Sequence, residues 1–203
     1  MSRPGTKGVP RGQREDQILD VATTEFGEHG YATASIAEIA SAAGVSKPLV
    51  YAYFGSRDGL HAACVHRAGK SLVEAVAAAQ SAQGAHDRAL ATLTGIFHAL
   101  DGRTQNWKII YDATLPRPSA AYSVARRYQD ALNGMGSAGV SQILADAGSR
   151  DGDDHSLLLT LWFSIVSSTI SWWSDHPAHS PEDMTERCLR LFTMIRPTTA
   201  PGA

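Results

Sequence analysis

Residues 33–60 read TASIAEIASAAGVSKPLVYAYFGSRDGL, and this stretch decides the fold. Ser35 stands three positions before Glu38, the spacing of a capping box at a helix start. Ile36, Ile39, Ala40 and Ala43 follow at helical spacing and form one apolar face. Gly44 supplies the left-handed backbone on which a helix ends in a tight turn, and Val45 fills the corner. Ser46 caps a second helix, with Lys47 at its start and Pro48 where a missing N–H does no harm. In that helix Val50 and Phe54 share a face, while Pro48, Tyr51 and Ala52 lie around the other side, flanked by Leu49 and Tyr53. Two short helices joined by a glycine turn, the second with small and polar residues outward, predict a helix-turn-helix over 35–54.

A helix of this width fits the major groove of double-stranded DNA, and its first turn offers N–H groups and side chains to phosphates and base edges. Lys47 suits guanine O6/N7 or a phosphate, and Tyr51 and Tyr53 carry rigid hydroxyls for phosphate oxygens. Arg57, at the next helix start, adds a charge beyond the groove edge. The expected DNA-facing set is Thr33, Ser35, Ser46, Lys47, Pro48, Leu49, Tyr51, Tyr53 and Arg57. Residues 1–14 add Arg3, Lys7, Arg11 and Arg14 with no acid. A disordered basic arm over 1–12 is expected to touch phosphates or the minor groove.

Working outward, the chain of 203 residues has room for one domain or two small ones. Lys+Arg 18 against Asp+Glu 20 excludes a protein held to nucleic acid by bulk charge, and 19% charged residues argue against a disordered chain. Glycine and proline punctuate the sequence at Gly55, Gly84, Gly102, Pro116, Gly148, Pro177 and Pro197, among others. Between the breaks apolar residues recur at three and four, as in Ile18, Val21, Ala22 and Phe26. The fold class is therefore all-α, with about nine helices. The basic start lacks an apolar run and does not read as a secretory signal, and the two cysteines, Cys64 and Cys188, form no disulfide framework. Residues 156–174 carry no charge but eight hydroxyl side chains. A helix buried on most sides is expected there rather than a membrane span.

Residues 13–62 resemble the DNA-binding domain of the TetR family of bacterial transcriptional repressors. The resemblance lies in the phrase from Phe26 to Tyr31, in T-x-S-I-x-x-I-A-x-x-A-G-V-S from Thr33 to Ser46, in the L-Y-x-x-F-like run from Leu49 to Phe54, and in Ser56 to Leu60 opening the next helix. Two positions depart from it. Many members carry Arg where Ala37 stands, and often read S-K-G-T where this chain has Ser46, Lys47, Pro48 and Leu49. The resemblance implies a ligand-binding and dimerisation half over 63–197 and a tail at 198–203. It implies helices near 56–82, 86–101, 104–114, 119–147, 153–175 and 181–196. The last two would form a four-helix bundle with a second copy, using Leu161, Ile165, Leu189, Phe192 and Ile195. The expected function is a cytoplasmic, ligand-responsive repressor that binds a palindromic operator as a homodimer and is released by a small-molecule effector.

Phe97, Trp107, Tyr111, Tyr122, Trp162 and Phe163 are candidate walls for an apolar or aromatic effector, with His98 placed to orient a polar group. Any one of them also reads as core packing. No cofactor or metal site is expected: His176 and His179 are separated by Pro177, and His61 and His66 are five apart. No G-x-S-x-G elbow, phosphate loop, dinucleotide fingerprint or H-E-x-x-H occurs, so no catalytic residue is assigned. The rival readings are an all-α enzyme acting on a small molecule and an architectural DNA binder without effector. Neither membrane nor metal enters the expected partners.

Overall fold

A computed structural model describes residues 9–195, all but the side chain of Ile195. Arg3 and Lys7 of the basic arm, the Ile195 side chain and the tail at 198–203 lie outside the described residues. Among the described residues there are nine α-helices and no strand. They are α1 (Arg11–Thr33), α2 (Ile36–Ala42), α3 (Lys47–Phe54), α4 (Arg57–Ala79), α5 (Ala85–Ala99), α6 (Gln105–Ile110), α7 (Ala120–Asp146), α8 (Gly152–Asp175) and α9 (Pro181–Ile195). The expected boundaries agree to within four residues, because the breaks that set them are local. Gly30, Gly44, Gly55, Gly84, Gly102 and Gly148 all take positive φ at or beside helix ends. The start differs: Arg11 and Arg14 belong to α1, not to an arm, and Arg14 is buried with its guanidinium bonded to Gln17 at 3.1 Å.

The chain packs as two compact units. The first comprises residues 9–73 and 105–132, and the second comprises 74–104 and 133–195. This division differs from a boundary at residue 62, since α6 and the first half of α7 pack with the helix-turn-helix segment. The first core gathers Ile18, Ala22 and Phe26 of α1, Ile39, Val50 and Leu60, and Ile109 and Ile110 of α6. α6 lies against α1 so closely that a Cβ on Gly27 would fall 2.6 Å from Gln105 Cβ. Asp58, in the first turn of α4, accepts from the Ala120 and Ala121 N–H groups at 2.8 and 3.1 Å and so caps the start of α7.

In the second unit α5 pairs with α9, and Phe97 meets Trp173 edge-on at 5.6 Å in a core with Leu93, Ile96, Ile170 and Met184. α8 departs from its expectation. Val166, Ile170 and Trp173 form one buried stripe, whereas Leu157, Leu161, Ile165 and Trp172 remain exposed in the single chain. By length and composition α8 is the one described helix that could cross a membrane, yet its hydroxyls thread it. Thr160, Ser164 and Thr169 each donate to the carbonyl four residues earlier.

Candidate nucleic-acid interface

The helix-turn-helix is built from two matched caps. Ser35 Oγ accepts from Glu38 N and Ser46 Oγ from Leu49 N, both at 3.3 Å. The capping box is closed by another residue than the spacing predicts: Ser35 N–H donates to Glu25 Oε1 of α1 at 2.8 Å. Between the helices Gly44 takes φ 64, and Val45 N–H returns to the Ala40 carbonyl at 2.9 Å. α3 is then held by Val50, which is 1% exposed. With that side fixed, Lys47, Pro48, Tyr51 and Ala52 point outward together. Tyr51 is 37% exposed, and the Lys47 ammonium stands 5.9 Å from its ring centroid. The result is an exposed face with one cation and a phenol at the start of a capped helix, suited to phosphates and base edges.

The remaining members of the expected set have other tasks. Thr33 is exposed, with its hydroxyl donating to the His29 carbonyl. Ser35 and Ser46 act as caps, and Leu49 and Tyr53 are half-buried. Arg57 turns inward: its guanidinium donates to the Tyr31 carbonyl and lies 5.1 Å over the Tyr31 ring. Arg11, expected to reach DNA from a disordered arm, instead opens α1, with its guanidinium carbon 5.3 Å over the Tyr53 ring, a cation beside α3.

Residues 18–64 match the model for bacterial regulatory proteins of the tetR family. Over those residues the chain is similar to the TetR family of regulators. Over 121 residues it is 32% identical to the HTH-type transcriptional activator FasR of Mycolicibacterium smegmatis, covering 58% of this chain and 55% of that protein. The chain thus spans about half the length of that relative. Among solved structures, a TetR-family regulator from Bordetella parapertussis superimposes with a TM-score of 0.75 at 20% identity, over 93% of this chain and 98% of that one. FadR from Bacillus subtilis, solved with stearoyl-CoA, gives 0.65 at 16% identity, over 87% and 96%. These likenesses carry the TetR fold along the chain, while the sequence match concentrates on the DNA-binding segment. The family is one of transcriptional regulators and not a class of enzymes.

The candidate aromatic walls divide between the two units. Trp107 and Tyr111, 4.5 Å apart, belong to the first unit, where burial raises the Tyr111 phenol and leaves its hydroxyl without a partner. Tyr122, half-buried in the same unit, lies under the Arg117 guanidinium at 4.6 Å. Phe97, Trp162 and Phe163 belong to the second unit; Phe97 is fully buried, and the other two flank Gly136 of α7. His98 is turned to the surface, 3.8 Å from Glu182. A cleft of about 460 Å³ opens instead between α8 and α9, walled by Trp172, Met184, Cys188 and Leu191 beside Arg187. No cluster of three or more His, Cys, Asp or Glu occurs among the described residues. Cys64 is buried beneath α1 and its thiol is pushed up to about 12, chiefly by desolvation, so it is not a low-pKa redox sensor.

Proposed function

We propose that the chain is a DNA-binding transcriptional regulator that acts as a homodimer on a near-palindromic operator in the cytoplasm and is released by a small apolar effector. The observation that carries this reading is the outward face of Lys47, Pro48 and Tyr51 on a helix whose seat is fixed by Ser46 and Val50. Phosphate and base contacts need such side chains on a rigid element, and two copies would present them to successive major grooves about 34–36 Å apart. Leu161, Ile165 and Leu189, all exposed on α8 and α9, support pairing of two copies there, together with the half-buried Phe192. An effector with a long apolar portion is supported by the fold neighbour that holds stearoyl-CoA. The expected aromatic walls remain candidates for contacting it: Phe97, Trp107, Tyr111, Tyr122, Trp162 and Phe163. The lever is α4, which starts at Arg57 and continues past Val73 into the second unit. A shift of a few ångströms in one reading head would break register with its groove.

The test begins with a duplex selected by the wild-type chain from a random library. Lys47→Ala and Tyr51→Phe should each weaken that complex by roughly 1–3 kcal/mol. Unchanged affinity in both variants rejects the assigned face. A tryptophan-quenching screen of acyl-CoA and aromatic compounds, followed by duplex binding with each hit, tests release. A promoter–reporter fusion then reads its sign, since the FasR relative is named an activator.

A further inference from the structure

The peptide groups on either side of Tyr31 are held by side chains from two other helical regions. α1 breaks at Gly30, with φ 75 and ψ 164, and the following N–H leaves the helical ladder. Tyr31 N–H donates to Asp112 Oδ2 at 2.7 Å, across 81 positions of sequence. The other oxygen of Asp112 accepts from Thr114 N at 2.7 Å and from the Thr114 hydroxyl at 2.6 Å, which fixes the carboxylate in place. Tyr31 C=O accepts from Arg57 at the start of α4. Its ring packs edge-on to His61 at 5.3 Å. Four residues later the Ser35 N–H that opens the reading head goes to Glu25.

Asp112 lies two residues beyond α6, and both ends of that helix are clamped as well. Gln105 presses on Gly27 of α1, and the α6 carbonyl of Ile110 accepts from Gln129 Nε2 at 2.6 Å. A six-residue helix has little stability of its own, so its position is set by these contacts. Hydrogen bonds to an ionised carboxylate are stronger than neutral ones, and the Tyr31 bond is the one that reaches the entrance of α2.

We infer that Asp112 is a positioning residue that ties α6 to the entrance of the DNA-reading head through the Tyr31 amide, so that α6 and the head respond to DNA as one body. The inference rests on the proposed DNA-binding function. Linkage makes the coupling reciprocal: if α6 positions the head, DNA on the head must steady α6.

Hydrogen exchange on the full chain, with and without the selected duplex, reads this directly. In the wild type the duplex should slow exchange over residues 36–54 and also over 105–112. In Asp112→Ala, at saturating duplex, 36–54 should stay slowed while 105–112 loses its slowing. The Tyr31 amide should exchange about tenfold faster in the free protein, the loss expected of one hydrogen bond. Asp112→Asn keeps an acceptor oxygen and should restore most of both effects. If Asp112→Ala does not fold, Thr114→Val, which only loosens the carboxylate, should accelerate the Tyr31 amide without touching the second unit. Undiminished slowing of 105–112 in Asp112→Ala overturns the inference, as does an unchanged Tyr31 amide in whichever variant folds. A wild-type chain that selects no duplex rejects the proposed function instead, and the Tyr31 amide still reads the clamp.

Discussion

His61 is fully buried between the Phe26 and Tyr31 rings, at 4.6 and 5.3 Å, and neither ring nitrogen has a hydrogen-bond partner. Desolvation dominates its titration and lowers it from 6.5 to about 4, with Asp112 and Asp58 pulling upward and Arg57 adding to the depression. The folded chain therefore binds this proton less readily than the unfolded one. Stability from this site is complete above pH 6.5, falls as the pH drops from there through about 4, and is level below. The loss is on the order of 3 kcal/mol. His61→Leu should flatten that part of the profile, measured by urea unfolding at pH 7, 5.5 and 4.5; an equally steep fall in the variant would place the titration elsewhere. At this scale the sequence was partly legible. Ser35 and Ser46 announce their caps by local spacing, whereas Glu25, Arg57 and Asp112 act on partners 10, 26 and 81 positions away, beyond any local pattern.

The helices themselves were legible because their ends are written in glycines, prolines and hydroxyl caps. Their grouping was not: α6 and the first half of α7 join the DNA-binding segment through tertiary contacts that leave no periodicity. One such contact is the approach of Tyr128 on α7 to Gly69 on α4. A Cβ at Gly69 would lie 2.3 Å from Tyr128 Cγ, and the ring cannot retreat, since it is buried and its hydroxyl is bonded to His66 Nδ1 at 2.5 Å. Gly69→Ala would ordinarily favour a helix. Here the clash should prevail, costing about 1–3 kcal/mol of stability and lowering Tm. A variant as stable as wild type would show that α4 and α7 separate easily. α8 is different: its uncharged run was legible, but within one chain only a single stripe is covered, which leaves the rest of the run to the second copy that the resemblance implies.

At the scale of the whole molecule, the uncovered residues of α8 and α9 include Leu157 at 60%, Leu161 at 50% and Met194 at 75% exposed. Apolar area of that kind left facing water calls for a partner. Sedimentation at micromolar concentration should give about twice the chain mass of 21.6 kDa, and Leu161→Glu should return it to one copy. A monomeric wild type would reject the pairing. The two-unit packing also bears on protein engineering. For a hybrid regulator built by exchanging the helix-turn-helix head with that of a relative, the family resemblance would place the cut near residue 62. A head transplanted at that cut would leave behind Gln105, Asp112 and the α7 start that Asp58 caps. It would arrive with the exposed face of Lys47, Pro48 and Tyr51 intact and no floor beneath it. In this chain the transferable module is the discontinuous set 9–73 with 105–132, so a working chimera needs three splices, one before α5 and two after it, rather than one.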